Sequence, residues 1–181
     1  MEKAYTVWTY LKSQFGITES TEEGRALFEQ GVREVSDLGF HNIECFNFTA
    51  VLFEDHPDEF RRILEENHAR FVNIYHAMSD DFQKDYEMAE RCFRFLRTHG
   101  ANLMNLETPR RNGAEATEER MAQMCENINR IGRLGKQYGV TVCLHPHYWT
   151  FCETQEMLTY VDEHTDPELI KYCIDTGHCV L

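Results

Sequence analysis

The chain has 181 residues, 31 of them acidic and 18 Lys or Arg, for a formal charge of −13 with His neutral. That balance argues against a nucleic-acid or anionic-membrane partner, because phosphate surfaces are bound by clustered Lys and Arg. Apolar residues make up 42% and twelve are Phe, so one domain with a packed core is expected over residues 1–181, and disorder is not.

The first apolar run, residues 5–11 (YTVWTYL), reads as a strand. A helix is predicted over 21–38, where Phe28, Val32, Val35 and Leu38 recur at steps of 4, 3 and 3 before Gly39. A second strand covers 42–47 (NIECFN), and a shorter helix with Pro57 in its first turn covers 57–67. The third strand is 71–77 (FVNIYHA). The helix after it, 80–98, carries the clearest stripe: Phe82, Tyr86, Ala89, Phe93 and Leu96. Strand four is 102–107 (NLMNLE), followed by a polar loop with Pro109, Arg110, Arg111 and Gly113. A helix over 117–138 has Met121, Met124, Ile128, Ile131 and Leu134 on one face, with Thr117 as its cap. Strand five is 140–145 (VTVCLH), the next helix is 154–163, and strand six is 171–175 (KYCID).

Strands alternating with helices mean βα units and a parallel sheet. The strands begin near 5, 42, 71, 102, 140 and 171, a mean spacing near 33. Eight such units would need about 266 residues, close to a (β/α)8 barrel. The expected fold is therefore α/β: a TIM-type barrel cut short, with five βα units, a sixth strand and helices outside. A Rossmann reading needs a glycine-rich phosphate turn after an early strand, and the first turn, KSQFGITES, has one Gly.

No run of about 18 apolar residues is present, and the first residues, MEKAYTVWTY, lack the apolar core of a signal peptide. The seven Cys (45, 92, 125, 143, 152, 173 and 179) are odd in number and form no C-x-x-C. They read as reduced, mostly buried thiols of a cytoplasmic protein.

In parallel α/β folds the site lies at the carboxyl ends of the strands. Here strand two carries Glu44 and Asn47, strand three ends in His76, strand four in Glu107, strand five in His145-Pro146-His147, and strand six in Asp175-Thr-Gly-His178. Five successive strands thus finish in a carboxylate or an imidazole. His145 and His147, two apart in an extended segment, point the same way. His145 and Asp175 converge if neighbouring strands pair, with His147 or His178 as the further partner, and imidazole plus carboxylate suits Mn, Co, Zn or Fe. Each residue also has a structural reading: a strand-end His can be a hydrogen-bonded core residue, and Asp175 can cap a helix. Glu44 either faces the site or sits at an exposed edge. Arg110 and Arg111 either hold a phosphate or carboxylate or lie in a solvated loop. Trp8 either walls a sugar pocket or packs in the core.

The segment VTVCLHPHYWTFCETQEMLTYVDEHTDPELIKYCIDTGH, together with GFHNIE at 39–44, resembles the sugar isomerase/epimerase superfamily with a xylose isomerase-like barrel. H-P-H…E-T followed by D-T-G-H looks most like its inosose dehydratase-like and hydroxypyruvate isomerase-like branches. The resemblance implies a divalent metal at the carboxyl end of the barrel, assisting proton transfer beside a carbonyl or loss of water from a polyol ketone. It implies Asp175 as a metal ligand and puts His145 where many members have a ligand Glu. His178 matches a substrate-contacting His, and Glu153 the Glu of the E-T element. The expected roles are then His145 and Asp175 on the metal, Glu44, Glu107 and Glu153 as proton carriers, and His76, His147 and His178 toward a small sugar or polyol.

The family's strand-seven His and strand-eight Glu have no counterpart in these residues. A barrel of six strands exposes the edges of strands one and six. The expectation is a smaller closed barrel that self-associates, as a homodimer. The alternative to catalysis is a barrel that binds a metal or small ligand, or only assembles.

Overall fold

The structure, a computed structural model, describes residues 3–178. Six strands form one parallel sheet in sequence order: β1 (Ala4–Thr6), β2 (Asn42–Phe46), β3 (Arg70–Ala77), β4 (Leu103–Glu107), β5 (Thr141–His145) and β6 (Ile170–Tyr172). The helices are α1 (Glu22–Asp37), α2 (Asn47–Phe53), α3 (Pro57–Glu66), α4 (Phe82–Thr98), α5 (Glu118–Tyr138) and α6 (Gln155–His164). The predicted α/β architecture is therefore present, with five strand–helix units and a sixth strand.

The core lies between the sheet and its helices. Ile43, Ile74, Leu106 and Leu144 point outward from alternate strand positions. They meet Phe28 and Val32 of α1, Phe93 and Leu96 of α4, and Ile128 and Ile131 of α5, and all of these are fully buried. Local signals set the helix ends. Thr117 accepts a hydrogen bond from the Arg120 amide, and Gly139 closes α5 in the left-handed conformation (φ 67°), which glycine adopts without steric cost.

The opposite face of the sheet is the inner one. Glu44 and Phe46, Asn73 and Tyr75, Asn105 and Glu107, and Cys143 and His145 alternate with the core residues along β2 to β5. The register shifts between Ile43 and Glu44, so that Glu44 falls opposite Asn73. A bulge re-aims side chains, and this one sets a carboxylate beside a carboxamide.

Several predicted boundaries change. Strand one is only Ala4–Thr6, because the Thr6 hydroxyl accepts from the Trp8 amide and turns the chain into a short 3-10 helix, Val7–Tyr10. Leu38, predicted on the buried stripe, is 73% exposed, since α1 has already ended. Strand six stops at Tyr172, so Asp175 stands three residues beyond it. Helix α2 was not predicted: six of its seven residues are buried, which leaves no polar face to mark a helical period. Closure into a smaller barrel is not seen either: among the described residues no ladder joins β6 to β1. The sheet does curl, since residues near both edges line one cavity. Six of the cysteines are free thiols, four of them buried, and Cys179 lies outside the described residues. No described helix is long and apolar enough to cross a membrane.

Candidate functional site

The inner face ends in a cavity of about 450 Å³. Thr6 and Trp8 line it at one edge, Cys173 and Asp175 at the other, with Glu44, Tyr75, Asn105 and His145 between. Trp8 stacks near Phe46 (ring centroids 4.6 Å apart) and borders the cavity, so it serves both wall and packing.

Three imidazoles meet at the mouth. One ligand nitrogen each from His145, His147 and His178 lies within 4.8 Å of the others. β5 delivers the first. Pro146 cannot donate to a ladder, so the strand stops and His147 returns to the same side. His147 donates its Nδ1 proton to the Tyr148 carbonyl at 2.8 Å, which leaves Nε2 as a free lone pair. His178 comes from a turn after β6: its amide donates to the Asp175 carbonyl at 3.1 Å. Nδ1 of His145 and Nδ1 of His178 are both buried with no hydrogen-bond partner among the described residues. Burial holds the pKa of His145 below the usual imidazole range, with the Asp175 carboxylate opposing that shift. Imidazole nitrogens gathered at this spacing fit a divalent ion of the Zn or Co type.

Asp175 lies beside this group. Its Oδ2 is 3.6 Å from His178 Nε2, and its Oδ1 accepts from the Gly177 amide at 2.7 Å. The carboxylate thus holds its own turn and faces His178. Asp175, His147 and His178 also border a second cavity, of about 460 Å³, behind the loop after β5.

Two carboxylates lie deeper. Glu44 Oε2 accepts from Asn73 Nδ2 at 2.8 Å and from Asn105 Nδ2 at 3.2 Å. Burial raises its pKa against the pull of Asn73, and the Asp175 charge raises it further. Glu107, only 3% exposed, accepts a hydrogen bond from the Tyr75 hydroxyl, while its other oxygen is buried with no hydrogen-bond partner among the described residues. Tyr75 also lies against His145, ring centroids 5.4 Å apart. Tyr75, Asn73 and Asn105 are not among the residues expected from the sequence, because none is an ionisable strand end of the carboxylate or imidazole kind. The period-2 alternation of β3, NIYHA, was the signal that could have found the first two.

Two expected site residues are placed elsewhere. Glu153 pairs with Arg111 and lines the second cavity rather than the first. The Trp149 backbone amide, and then Arg111, lower its pKa. His76 points away from the inner face, because its neighbour Tyr75 points into it. Its Nδ1 accepts from Asn47 Nδ2 at 3.0 Å, at the start of α2. It is 2% exposed, and burial holds its pKa down at about 4. Unfolded, the same imidazole titrates near 6.5. The unfolded chain then binds more protons between those values, so stability is full above pH 6.5 and is lost as pH falls toward 4. We expect urea unfolding to register a loss of about 2 kcal/mol from this group between pH 7 and pH 5. His76→Gln should remove that part of the pH dependence, and an unchanged drop in the variant would refute the assignment.

The fold and the site define a (β/α)-barrel type of sheet with its polar groups gathered at the carboxyl ends of the strands. The chain belongs to the xylose isomerase-like TIM barrel family, whose model matches residues 32–181. It is 27% identical over 171 residues to the inosose dehydratase of Clostridium perfringens, covering 84% of this chain and 55% of that one. It thus spans about half the length of that relative. Among solved structures it resembles a D-allulose 3-epimerase from Methylomonas sp. in complex with D-allulose, with a TM-score of 0.73 at 14% identity, covering 98% of this chain and 63% of the other. The IOLI protein with a bound zinc atom superposes with a TM-score of 0.70 at 12% identity, over 98% and 64% of the two chains. At these identities the structural likeness speaks for the fold.

Proposed function

We propose that the mouth of this sheet is a metal-assisted site for a small sugar or polyol ketone, of the isomerase, epimerase or dehydratase type. One observation carries the reading: three imidazoles open onto the same cavity as a half-buried Glu44 and an aromatic wall. His145, His147 and His178 would hold the ion, with Asp175 supporting them from beside His178. A divalent ion there supplies Lewis acidity toward a carbonyl or hydroxyl oxygen. The inosose dehydratase, epimerase and zinc-bound relatives support the substrate class and the metal alike.

The chain's own residues supply the rest. Glu44 holds a proton more readily than an exposed carboxylate, because burial disfavours its charge. It is the group suited to move a proton at the carbon beside the carbonyl. Asn73 and Asn105 fix its Oε2, so the orientation of the carboxyl is set before a ligand arrives. Glu107 and Tyr75 form the second proton-carrying pair, next to His145. Trp8 and Phe46 offer an apolar wall to the C–H face of a sugar. Glu153, tied to Arg111, positions the loop that carries His147.

The test is solvent-deuterium exchange. Ketoses, hydroxypyruvate and inososes are incubated in D2O with Zn, Co or Mn, and exchange or elimination beside the carbonyl is followed by proton NMR. Metal-dependent exchange that falls by about 100-fold in Glu44→Gln is expected. Metal binding with no exchange across the panel would refute catalysis and leave a metal-loaded ligand binder.

A further inference from the structure

Two guanidiniums at the rim hold no ion and move no proton in that reaction. Arg110 forms an isolated antiparallel bridge with Thr150, and the Arg111 amide donates to the Trp149 carbonyl at 2.8 Å. The loops after β4 and β5 are thereby laced into one wall. Asn112 and Trp149 are both left-handed, with φ of 46° and 66°. Asn tolerates that conformation, but for a bulky residue it is a strained one. The lacing therefore holds Trp149 where it would not rest unaided, with the residue 59% exposed.

Between these loops lies a pocket of about 280 Å³ lined by Arg110, Arg111, Asn112, Gly113 and Trp149. Part of its donor set is uncommitted. Arg111 spends NH2 on Glu153, while its Nε is buried with no hydrogen-bond partner among the described residues. Arg110 donates no hydrogen bond among the described residues: its nearest carboxylate, Glu107, is 3.7 Å away, beyond hydrogen-bond distance. Its guanidinium carbon stands 6.0 Å from the centroid of the Trp149 ring. A buried N–H of a permanent cation costs free energy until something accepts from it.

We propose that this pocket is an oxyanion subsite. It takes the carboxylate or phosphate of a small ligand, with Arg110 and Arg111 donating and the Trp149 indole as an apolar wall. Guanidinium forks match the geometry of both groups. Glu107 and Glu153 offset the two positive charges, so recognition rests on directed donors rather than net charge, and a bare ion binds weakly. The pocket's Trp149 lies two residues after His147 in the loop that follows β5. The subsite does not depend on a metal or on turnover.

The experiment is an NMR titration of the full chain, treated with chelator, at constant ionic strength set by NaCl. Inorganic phosphate and malonate are the two probes, and the readouts are the Arg Nε–H and Trp149 indole N–H signals. A saturable shift at Arg111 and Trp149 is expected, with a midpoint in the millimolar range. Arg110→Gln should raise that midpoint at least tenfold while the remaining amide signals stay in place. Saturation by phosphate alone assigns a phosphorylated ligand, and saturation by malonate alone assigns a carboxylate. Saturation by neither, shifts reproduced by chloride, or an unchanged midpoint in Arg110→Gln overturns the proposal.

Discussion

Replacing His145 with Ala is expected to lower zinc affinity on the order of 100-fold or more. Changes to the partners that merely orient a metal ligand cost 10–100-fold, and His145 is proposed as a ligand itself. It is the imidazole delivered by a strand rather than a loop, it is 6% exposed, and its Nδ1 is buried with no hydrogen-bond partner among the described residues. Its loss leaves two imidazoles, both on irregular segments. Asp175→Ala should cost less, about tenfold, if the carboxylate acts by orienting His178 across 3.6 Å. Equal losses in the two variants would return Asp175 to the ligand set that the family resemblance implies. Zn and Co should bind more tightly than Mg, because imidazole nitrogen suits the former and Mg prefers oxygen. Competition with a chromophoric chelator measures all three quantities. His76→Gln is the control, since that imidazole faces the helices, and its zinc affinity should match that of the unaltered chain. Zinc binding by His145→Ala equal to the unaltered chain would remove the imidazole group from the proposal altogether.

What could be read from the amino acids alone divides along physical lines. Strands two to five, and the helices with one apolar stripe, were legible because burial on one face imposes a period. Phe82 to Leu96 and Met121 to Leu134 are the clearest cases. Helix α2 was not, because Asn47–Phe53 is buried nearly all round, and a segment without a wet side has no period to read. Strand one was overextended because apolar content does not distinguish an extended YTVWTYL from one whose Thr6 turns it into 3-10 helix. The carboxyl-end rule brought His145, His147, His178, Asp175 and Glu44 into one neighbourhood. It failed for His76, since a strand end states a height along the barrel and not a side of the sheet. The side follows from the neighbours: Tyr75 reaches Glu107 across the inner face, so His76 must point outward. The hydrogen bonds of Glu44 to Asn73 and Asn105 depend on a one-residue register shift, which no local pattern in NIECF announces.

Phe60→Ala is expected to destabilise the chain by about 3–5 kcal/mol, the range for emptying a buried phenyl site. Phe60 is fully buried on α3, yet its ring reaches four other elements. Its centroid lies 5.3 Å from Phe28 of α1, 5.3 Å from Phe53 of α2, 5.5 Å from Phe71 of β3 and 4.9 Å from Phe95 of α4. An alanine there cannot be compensated by the shift of one neighbour, because each belongs to a different element and would have to move independently. The lost contacts are therefore not recovered, and the cost falls toward the upper part of the range. Against a total stability of about 5–15 kcal/mol for a domain, that is a large share, and a melting temperature lower by roughly 6–20 °C follows for a chain of this size. Leu38→Ala, at a side chain 73% exposed, should stay within about 0.5 kcal/mol. Thermal and urea unfolding of the two variants measure the contrast. β3 presents Phe71 to this aromatic group, while Asn73 and Tyr75 hold Glu44 and Glu107 on the inner face. The strand that orients both carboxylates is thus docked through the Phe60 ring. Folded Phe60→Ala should keep its zinc affinity, because His145, His147 and His178 come from β5 and the segments after β5 and β6, outside the aromatic hub. A destabilisation below about 1 kcal/mol would mean the ring is a filler rather than the hub.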